Sequence, residues 1–232
     1  MLMTYLAKKK KPLIRRLFLL VTKKPIFFKK QSKLDKDFFA APPDLSSIFY
    51  SNELAVPEKC THAIESLSTL NKLLAEKRAR KEHPSLRYMV DESGTAWFAR
   101  ERQVGIQSPK HYQMTGELQK NARCRAAGTI KFTNSSCTML KNLNHKSGDF
   151  RPSFYSLRLF LAILILNEEL LPFKLPKTLI VKEIGSNGEV ARKHRWPVVQ
   201  IKDWVDTFRG NTELITQLTK QNASTRLVQY PG

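Results

Sequence analysis

The sequence predicts an α+β fold, in which a mostly antiparallel sheet packs around one buried central helix and peripheral helices, preceded by a basic N-terminal arm. Residues 159–166 are apolar on every side, which is typical of a helix covered from several directions. Short β-branched and aromatic segments are separated by turn residues, as in hairpins. The order helix, strands, helix, strands, helix favours α+β over repeating βαβ units.

The positive charge is concentrated at the N-terminus. The 232 residues carry a formal net charge of +20, and residues 1–40 supply half of it, with 12 lysines and arginines against two aspartates. Two prolines at 42 and 43 resist both helix and sheet and mark a linker. We therefore divide the chain into a basic amphipathic arm and Pro-rich linker at 1–45 and a single α+β domain at 46–232.

The arm is predicted to bind a polyanionic partner. Residues 13–21 place apolar side chains on one helical face, and no acidic residue precedes Asp35. Such a segment suits an anionic membrane surface or a nucleic acid. A nuclear import signal, a mitochondrial address and a solvated tail docked on the domain are alternatives. The basic residues expected to contact the partner are Lys8, Lys9, Lys10, Lys11, Arg15, Arg16, Lys23, Lys24, Lys29 and Lys30.

The first half of the domain is predicted to contain one long helix and several strands. The helix begins near Pro57, carries an apolar stripe and ends in basic residues 77–81 that face water. Residues 86–90 and 95–99 form a hairpin, and further strands lie at 123–132 and 139–143. Gly128, inside a strand, indicates a bulge or a close backbone approach.

The second half is predicted to begin with the central helix. It starts after Pro152 and runs to about Leu171, and a buried strand at 178–184 leads into a hairpin turn at 185–188. The apolar spacing at 201–208 indicates an amphipathic helix, and Asn211 is placed to cap a last short helix.

Several function classes find no support in the sequence. The three cysteines form no CxxC pair and the histidines have no ligand spacing with them, so neither a metal nor a cofactor is predicted. Cys124 is expected to be an ordinary buried thiol. The longest apolar run, 159–166, is shorter than the roughly 20 residues that span a bilayer. Any catalytic residue remains unknown.

A candidate anion-binding site lies between a predicted strand and the central helix. The amide groups of a helix start favour an anion, and Lys and Arg side chains nearby would add donors. Gly148 permits a tight approach or a positive φ. The alternative is a capped helix start whose cations face water or pair with Asp149. The predicted ligand-binding residues are His145, Lys146, Ser147, Gly148 and Arg151, joined in one cleft by His111, Tyr112 and Arg87.

These segments carry a resemblance to a known group of proteins. Residues 87–90, 109–116, 126–128 and 144–152 together resemble a domain of effector-type proteins from intracellular bacteria such as Legionella and Coxiella. Residues 147–152 are loosely similar to the Ser-Gly-His-Tyr-x-Pro segment of plant IQ-motif proteins, with Asp-Phe standing where that pattern has His-Tyr. The resemblance implies delivery into a host cell by a type IV secretion system, and no settled activity.

The expected function combines the arm and the site. The chain is predicted to be a secreted bacterial effector-like protein whose arm binds an anionic surface and whose domain binds a phosphorylated or acidic ligand. A host protein is a further expected partner. The expected location is the bacterial cytoplasm before secretion, then the host cytoplasm, a membrane surface or the nucleus. A nucleotide-dependent transferase such as an ADP-ribosyltransferase and a nucleic-acid-binding protein are the alternatives.

Overall fold

The computed structural model describes residues 33–51, 62–101, 108–116, 122–221 and 224–228. The predicted arm contacts at residues 8–30 lie outside these residues. The described helices are α1 (Lys33–Phe38), α2 (Leu70–Ala79), α3 (Leu157–Leu166), α4 (Val198–Asp206) and α5 (Thr212–Thr219). The strands are β1 (Phe49–Tyr50), β2 (His62–Ser66), β3 (Ser85–Val90), β4 (Ala96–Arg100), β5 (Arg123–Cys124), β6 (Ala126–Phe132), β7 (Leu140–Asn144), β8 (Thr178–Ile184), β9 (Val190–Pro197) and β10 (Thr225–Val228).

One large sheet organises the domain. Its eight strands follow the order β10-β2-β4-β3-β6-β7-β8-β9, and β1 pairs separately with β5. All neighbouring strands are antiparallel except β7 and β8, which are parallel. The chain joins this parallel pair through α3, because parallel neighbours need a long crossover. The predicted α+β class with a mostly antiparallel sheet is confirmed.

Helix α3 lies at the centre of the main core, as predicted. Seven of its residues are buried, and they share one apolar cluster with buried side chains of α2, α4, α5 and the sheet. Phe160 stacks flat on Tyr88 of β3, with ring centroids 3.6 Å apart. The helix is shorter than predicted, since it ends at Leu166 and a 3-10 turn at Glu168–Leu170 follows.

A second, smaller core covers part of the opposite face of the sheet. Its buried members come from β2, β3, β4 and β6, from the short β5 and Ala122 before it, from a 3-10 turn at Tyr112–Thr115 and from Phe150 in the loop after β7. Cys124 belongs to this cluster and is fully buried, which confirms the expected buried thiol, and burial raises its pKa. None of its members comes from β7, β8 or β9.

The local hairpin predictions are confirmed. Strands β3 and β4 pair around the turn at 91–94, and β8 and β9 pair around the turn at 185–188. The apolar face predicted at 201–208 is buried, mostly on α4, and the Asn211 side chain accepts from the backbone N–H of Leu214 to cap α5. The strand predicted at 123–132 is split, because β5 pairs with β1 and only β6 joins the large sheet.

The long helix predicted from Pro57 is wrong over residues 62–66 and confirmed over Leu70–Ala79. Residues 62–66 form β2, which pairs with β10 and β4, and the helix begins only at Leu70. Ile64 accordingly belongs to the second core rather than to a helical stripe. The basic helix end is not entirely solvated either, because Lys77 is fully buried and contacts Glu82, with Nζ and Oε2 3.4 Å apart.

Gly128 makes the close approach that the sequence predicted. A Cβ at this position would lie 2.0 Å from the carbonyl oxygen of Asn144 and 2.8 Å from the hydroxyl of Tyr88. The Tyr88 hydroxyl uses this space to donate to the same carbonyl at 2.9 Å. A side chain here would displace both groups.

The described end of the arm and linker segment, residues 33–45, packs on the domain. Phe38 is fully buried in the main core, with its ring centroid 4.6 Å from that of Trp196. Asp35 accepts from the indole N–H of Trp196 at 2.7 Å and lies 3.0 Å from Nδ1 of His194. Helix α1 is thus held to strand β9 by a buried aromatic ring and a carboxylate.

Candidate functional site

A pocket of about 370 Å³ opens at the end of the parallel strand pair. One wall is the loop that follows β7, with residues 145–148, 151 and 152, and the other is the β8–β9 turn at 184–188. Strands β7 and β8 run in the same direction, so their C-terminal ends deliver both segments to one edge of the sheet. Five of the predicted ligand-binding residues, 145–148 and 151, line this pocket.

Asn144 and Ser147 shape the first wall. The Asn144 side-chain oxygen accepts from the backbone N–H groups of Thr129 and Lys146, which turns the chain away from the sheet. The Ser147 hydroxyl oxygen accepts from the Phe150 N–H at 3.3 Å, and its carbonyl accepts from the Arg151 N–H at 3.1 Å. The loop is therefore ordered by its own hydrogen bonds.

His145 ties the two walls together. Its Nδ1 donates to the carbonyl of Pro152 at 2.8 Å, and its Nε2 accepts from the backbone N–H of Ile184 at 2.9 Å. An imidazole that accepts through one nitrogen is neutral, and burial accordingly lowers the pKa of His145. His145 lines the pocket as predicted, but both of its ring nitrogens contact backbone groups of the protein, so neither nitrogen is left to bind a ligand.

Lys146 and Arg151 supply the positive charge of the pocket. Both side chains are exposed, and neither forms a salt bridge with any residue that the structure describes. The Lys146 side chain runs beside the turn, with its Cε 4.0 Å from the position that a Cβ of Gly188 would take. The described lining contains no carboxylate. An anion would therefore meet two uncompensated cations.

Arg151 occupies an unusual backbone conformation. Its φ is 46°, in the left-handed region that costs a side-chain-bearing residue roughly 1–2 kcal/mol. Glycine adopts this conformation without that cost. Lys81 and Cys137 adopt the same conformation elsewhere in the described chain.

The other three predicted residues form a separate cluster. Arg87 donates to the carbonyl of Pro109, and its charge interacts with Glu101 and Asp149. His111 places Nε2 2.9 Å from the carbonyl of Gly128, and burial lowers its pKa to about 4. Tyr112 is buried in the second core, and its N–H donates to Asp149. The predicted common cleft is therefore wrong, since none of these three residues lines the pocket.

Asp149 faces the buried cluster and not the pocket. Its Oδ2 accepts from the Tyr112 N–H at 3.3 Å, and its charge raises the pKa of Cys124 after the larger effect of burial. The side chain is 6% exposed and is absent from the pocket lining. Asp149 therefore does not neutralise Lys146 or Arg151, which was the alternative that the sequence left open.

Two further expectations about the site are corrected. A 3-10 turn at Phe154–Ser156 precedes α3. The last residue of the first pocket wall is Pro152, so the start of the helix does not line the pocket. Gly148 does not have a positive φ, and no atom lies within 4 Å of the position that a Cβ would take there, so this glycine is not needed for a close approach.

Sequence reasoning missed the second wall of the pocket. The sequence predicts a hairpin turn at 185–188, but only the parallel pairing of β7 with β8 brings that turn to the loop. Within the turn, the Asn187 side-chain oxygen accepts from the Glu189 N–H, and Ser186 is exposed. The strand predicted at 178–184 is present, but it is not the buried strand expected, because only Leu179 and Val181 of its seven residues are buried.

Comparison with known proteins gives no relative: no protein-family model, no curated protein and no solved structure matches the chain. Within the described ranges, no group of three or more His, Cys, Asp or Glu side chains is placed to hold a metal ion. No helix among these residues has the length and apolar character needed to cross a membrane.

Proposed function

We propose that this protein is an effector-like binding protein that holds a phosphorylated or acidic ligand in the pocket between the 145–152 loop and the 184–188 turn. The observation that supports the proposal is that Lys146 and Arg151 both line the pocket, and that the described lining contains no carboxylate. Guanidinium and ammonium groups are the side chains that bind phosphate oxygens best. A reaction such as ADP-ribosyl transfer has less support, because the described lining offers no acidic catalytic partner.

The pocket is tested by titrating the full-length protein with inorganic pyrophosphate and with ADP-ribose in a calorimeter. Lys146→Ala and Arg151→Gly each remove a charged donor, and glycine keeps the backbone conformation of position 151. Charge-assisted hydrogen bonds contribute about 1.5–3 kcal/mol each, so each variant should weaken binding at least tenfold. Lys72→Ala and Arg80→Ala, at exposed positions on α2 and immediately after it, are the matched controls.

The result that would overturn the pocket proposal is equal affinity in the pocket and control variants. Absence of heat with any phosphate compound, including millimolar pyrophosphate, would overturn it as well. Transfer of label from NAD to protein in a cell lysate would replace the binding proposal with the enzymatic one.

The second half of the proposal concerns residues 1–40, whose composition supports binding to an anionic surface. Flotation with anionic and neutral vesicles should show binding of the full chain to the anionic ones, and loss of most binding when residues 1–32 are removed, a deletion that keeps α1 and the buried Phe38. Equal binding to both vesicle types contradicts it. The setting inside a host cell is proposed from the resemblance to bacterial effectors, and a translocation reporter in an intracellular bacterium tests that setting.

A further inference from the structure

The outer face of strands β6–β9 carries a set of cations that the fold does not use. Leu179 and Val181 of β8 point into the main core, so the alternating residues Ile180 and Lys182 point to the other side of the sheet. The cross-strand pairs extend this face to neighbouring strands. Its basic residues are Lys131, Lys141, Lys182, Lys193 and Arg195, which we call the lysine face.

The register places these side chains in two rows. One row runs from Lys131 through Asn142 and Ile180 to Arg195. The other runs from Thr129 through Asn144 and Lys182 to Lys193. With strands about 4.8 Å apart, each row is about 14 Å long. Lys141 has no cross-strand partner, because it lies at the irregularity between β6 and β7. Its charge lowers the pKa of Lys182.

The lysine face lacks compensating charge. The two rows contain no acidic residue, and none of the five cations forms a salt bridge in the part of the chain that the structure describes. Burial lowers the pKa of Lys182 first, and the charges of Lys131, Lys193 and Lys141 lower it further. Like charges directly opposite in a ladder, such as Lys182 and Lys193, are destabilising.

We infer that the lysine face docks on the phosphate backbone of a double-stranded nucleic acid, without reading its sequence. Thr129, Asn142 and Asn144 in these rows are buried, so the five basic side chains supply the contacts, and together they would neutralise up to about five phosphates. The rows have no aromatic side chain on which unpaired bases could stack, which argues against single strands. Their one apolar residue, half-buried Ile180, offers little to insert into a bilayer, which argues against a lipid surface.

This inference rests on the half of the proposed function that concerns an anionic surface, and it identifies that surface as a nucleic acid. It does not depend on the pocket residues. Lys182 and its partner Asn144 form the last pair of β7 and β8, immediately before the loop and the turn that build the pocket. A duplex on the lysine face would therefore lie next to the strand ends from which the pocket walls depart.

The test measures binding of the full-length protein to a 20-base-pair DNA duplex at several salt concentrations. The face variant combines Lys182→Gln, Lys193→Gln and Arg195→Gln. The control variant combines Lys72→Gln, Arg80→Gln and Lys220→Gln, which removes the same charge from exposed positions elsewhere on the domain. Each phosphate contact contributes about −0.9 to the slope of log affinity against log salt, so the face variant should reduce the slope by about 2 to 3.

Each outcome decides something different. A slope that changes equally in the face and control variants overturns the lysine face as the docking surface. If the wild type binds anionic vesicles but no duplex, the nucleic-acid inference fails while the proposed anionic-surface function stands. If it binds neither, both fail. A strong preference between two unrelated duplex sequences overturns the claim of backbone recognition.

Discussion

Tyr88 reaches across Gly128, and its hydroxyl donates to the carbonyl of Asn144 at 2.9 Å. The tyrosine ring meanwhile lies on Phe160 of the central helix. This contact joins the helix to the end of β7, from which the pocket loop departs. Glycine at position 128 is the condition for it, because a methyl group there would overlap the Asn144 carbonyl.

Gly128→Ala is therefore expected to destabilise the protein by more than about 3 kcal/mol, since overpacking of a rigid core usually costs about 1–3 kcal/mol and here backbone must move. Urea unfolding measures the change. Gly210→Ala is the control, because no atom lies within 4 Å of the added carbon, and it should change stability by less than about 0.5 kcal/mol. Similar effects of the two substitutions would contradict the close approach.

Glu82→Gln is expected to cost about 3–5 kcal/mol, because it leaves the fully buried Lys77 without its carboxylate partner. Glu82 also contacts Arg100 at 3.3 Å, so Arg100 loses one of its two carboxylate partners and keeps Glu76. The same change at Glu76, whose side chain is 55% exposed in its contact with Arg100, should cost less than about 1 kcal/mol. Equilibrium unfolding of both variants at neutral pH tests the contrast.

Stability should fall as the pH drops from about 6.5 to about 4, because the buried His111 has a pKa of about 4 when folded and an ordinary value of 6.5 when unfolded. The unfolded chain binds the proton first in this window, so the loss is about 1.4 kcal/mol per pH unit for this group. His111→Gln can still donate to Gly128 and should flatten the dependence. His83→Gln, on an exposed side chain, should leave it unchanged.

Asp35→Ala is expected to release α1 from the domain, because the carboxylate binds both the indole of Trp196 and His194. Limited proteolysis should then cut near residues 33–40 several times faster than in the wild type. Asp37→Ala is the matched control, since its side chain is exposed and its backbone carbonyl, which the substitution keeps, accepts from Arg158. Equal cutting rates in the two variants would show that Phe38 alone holds the helix.

The sequence is a good guide wherever neighbours along the chain make the contacts. The β3–β4 and β8–β9 hairpins, the buried helix α3 and the Asn211 cap all follow from local patterns. It fails at β2, where Ile64 and Leu67 fit a helical period equally well. The strand is set by its pairing with β10, in which Glu65 meets Thr225 far along the chain.

The candidate site is predicted in part for the same reason. Residues 145–148 and 151 are close in sequence, and the structure keeps them together around one pocket. Residue type alone assigns Arg87 and His111 to it. The place of Arg87 is decided by the position it occupies on β3, and that of His111 by the 3-10 turn that follows it and by its contact with the Gly128 carbonyl. The turn at 185–188 joins through parallel pairing, which no local pattern reveals.

The parallel arrangement of β7 and β8 has a consequence for how this molecule can diversify. The 185–188 turn has no buried side chain, so insertions or replacements there leave the packed layers intact, whereas the 145–152 loop buries Asp149 and Phe150 and is less free to change. Homologous or engineered proteins could carry a longer segment in place of the 185–188 turn and bind a different ligand. Exchange should stop at residue 185, because the backbone N–H of Ile184 donates to His145 and this hydrogen bond joins the two pocket walls.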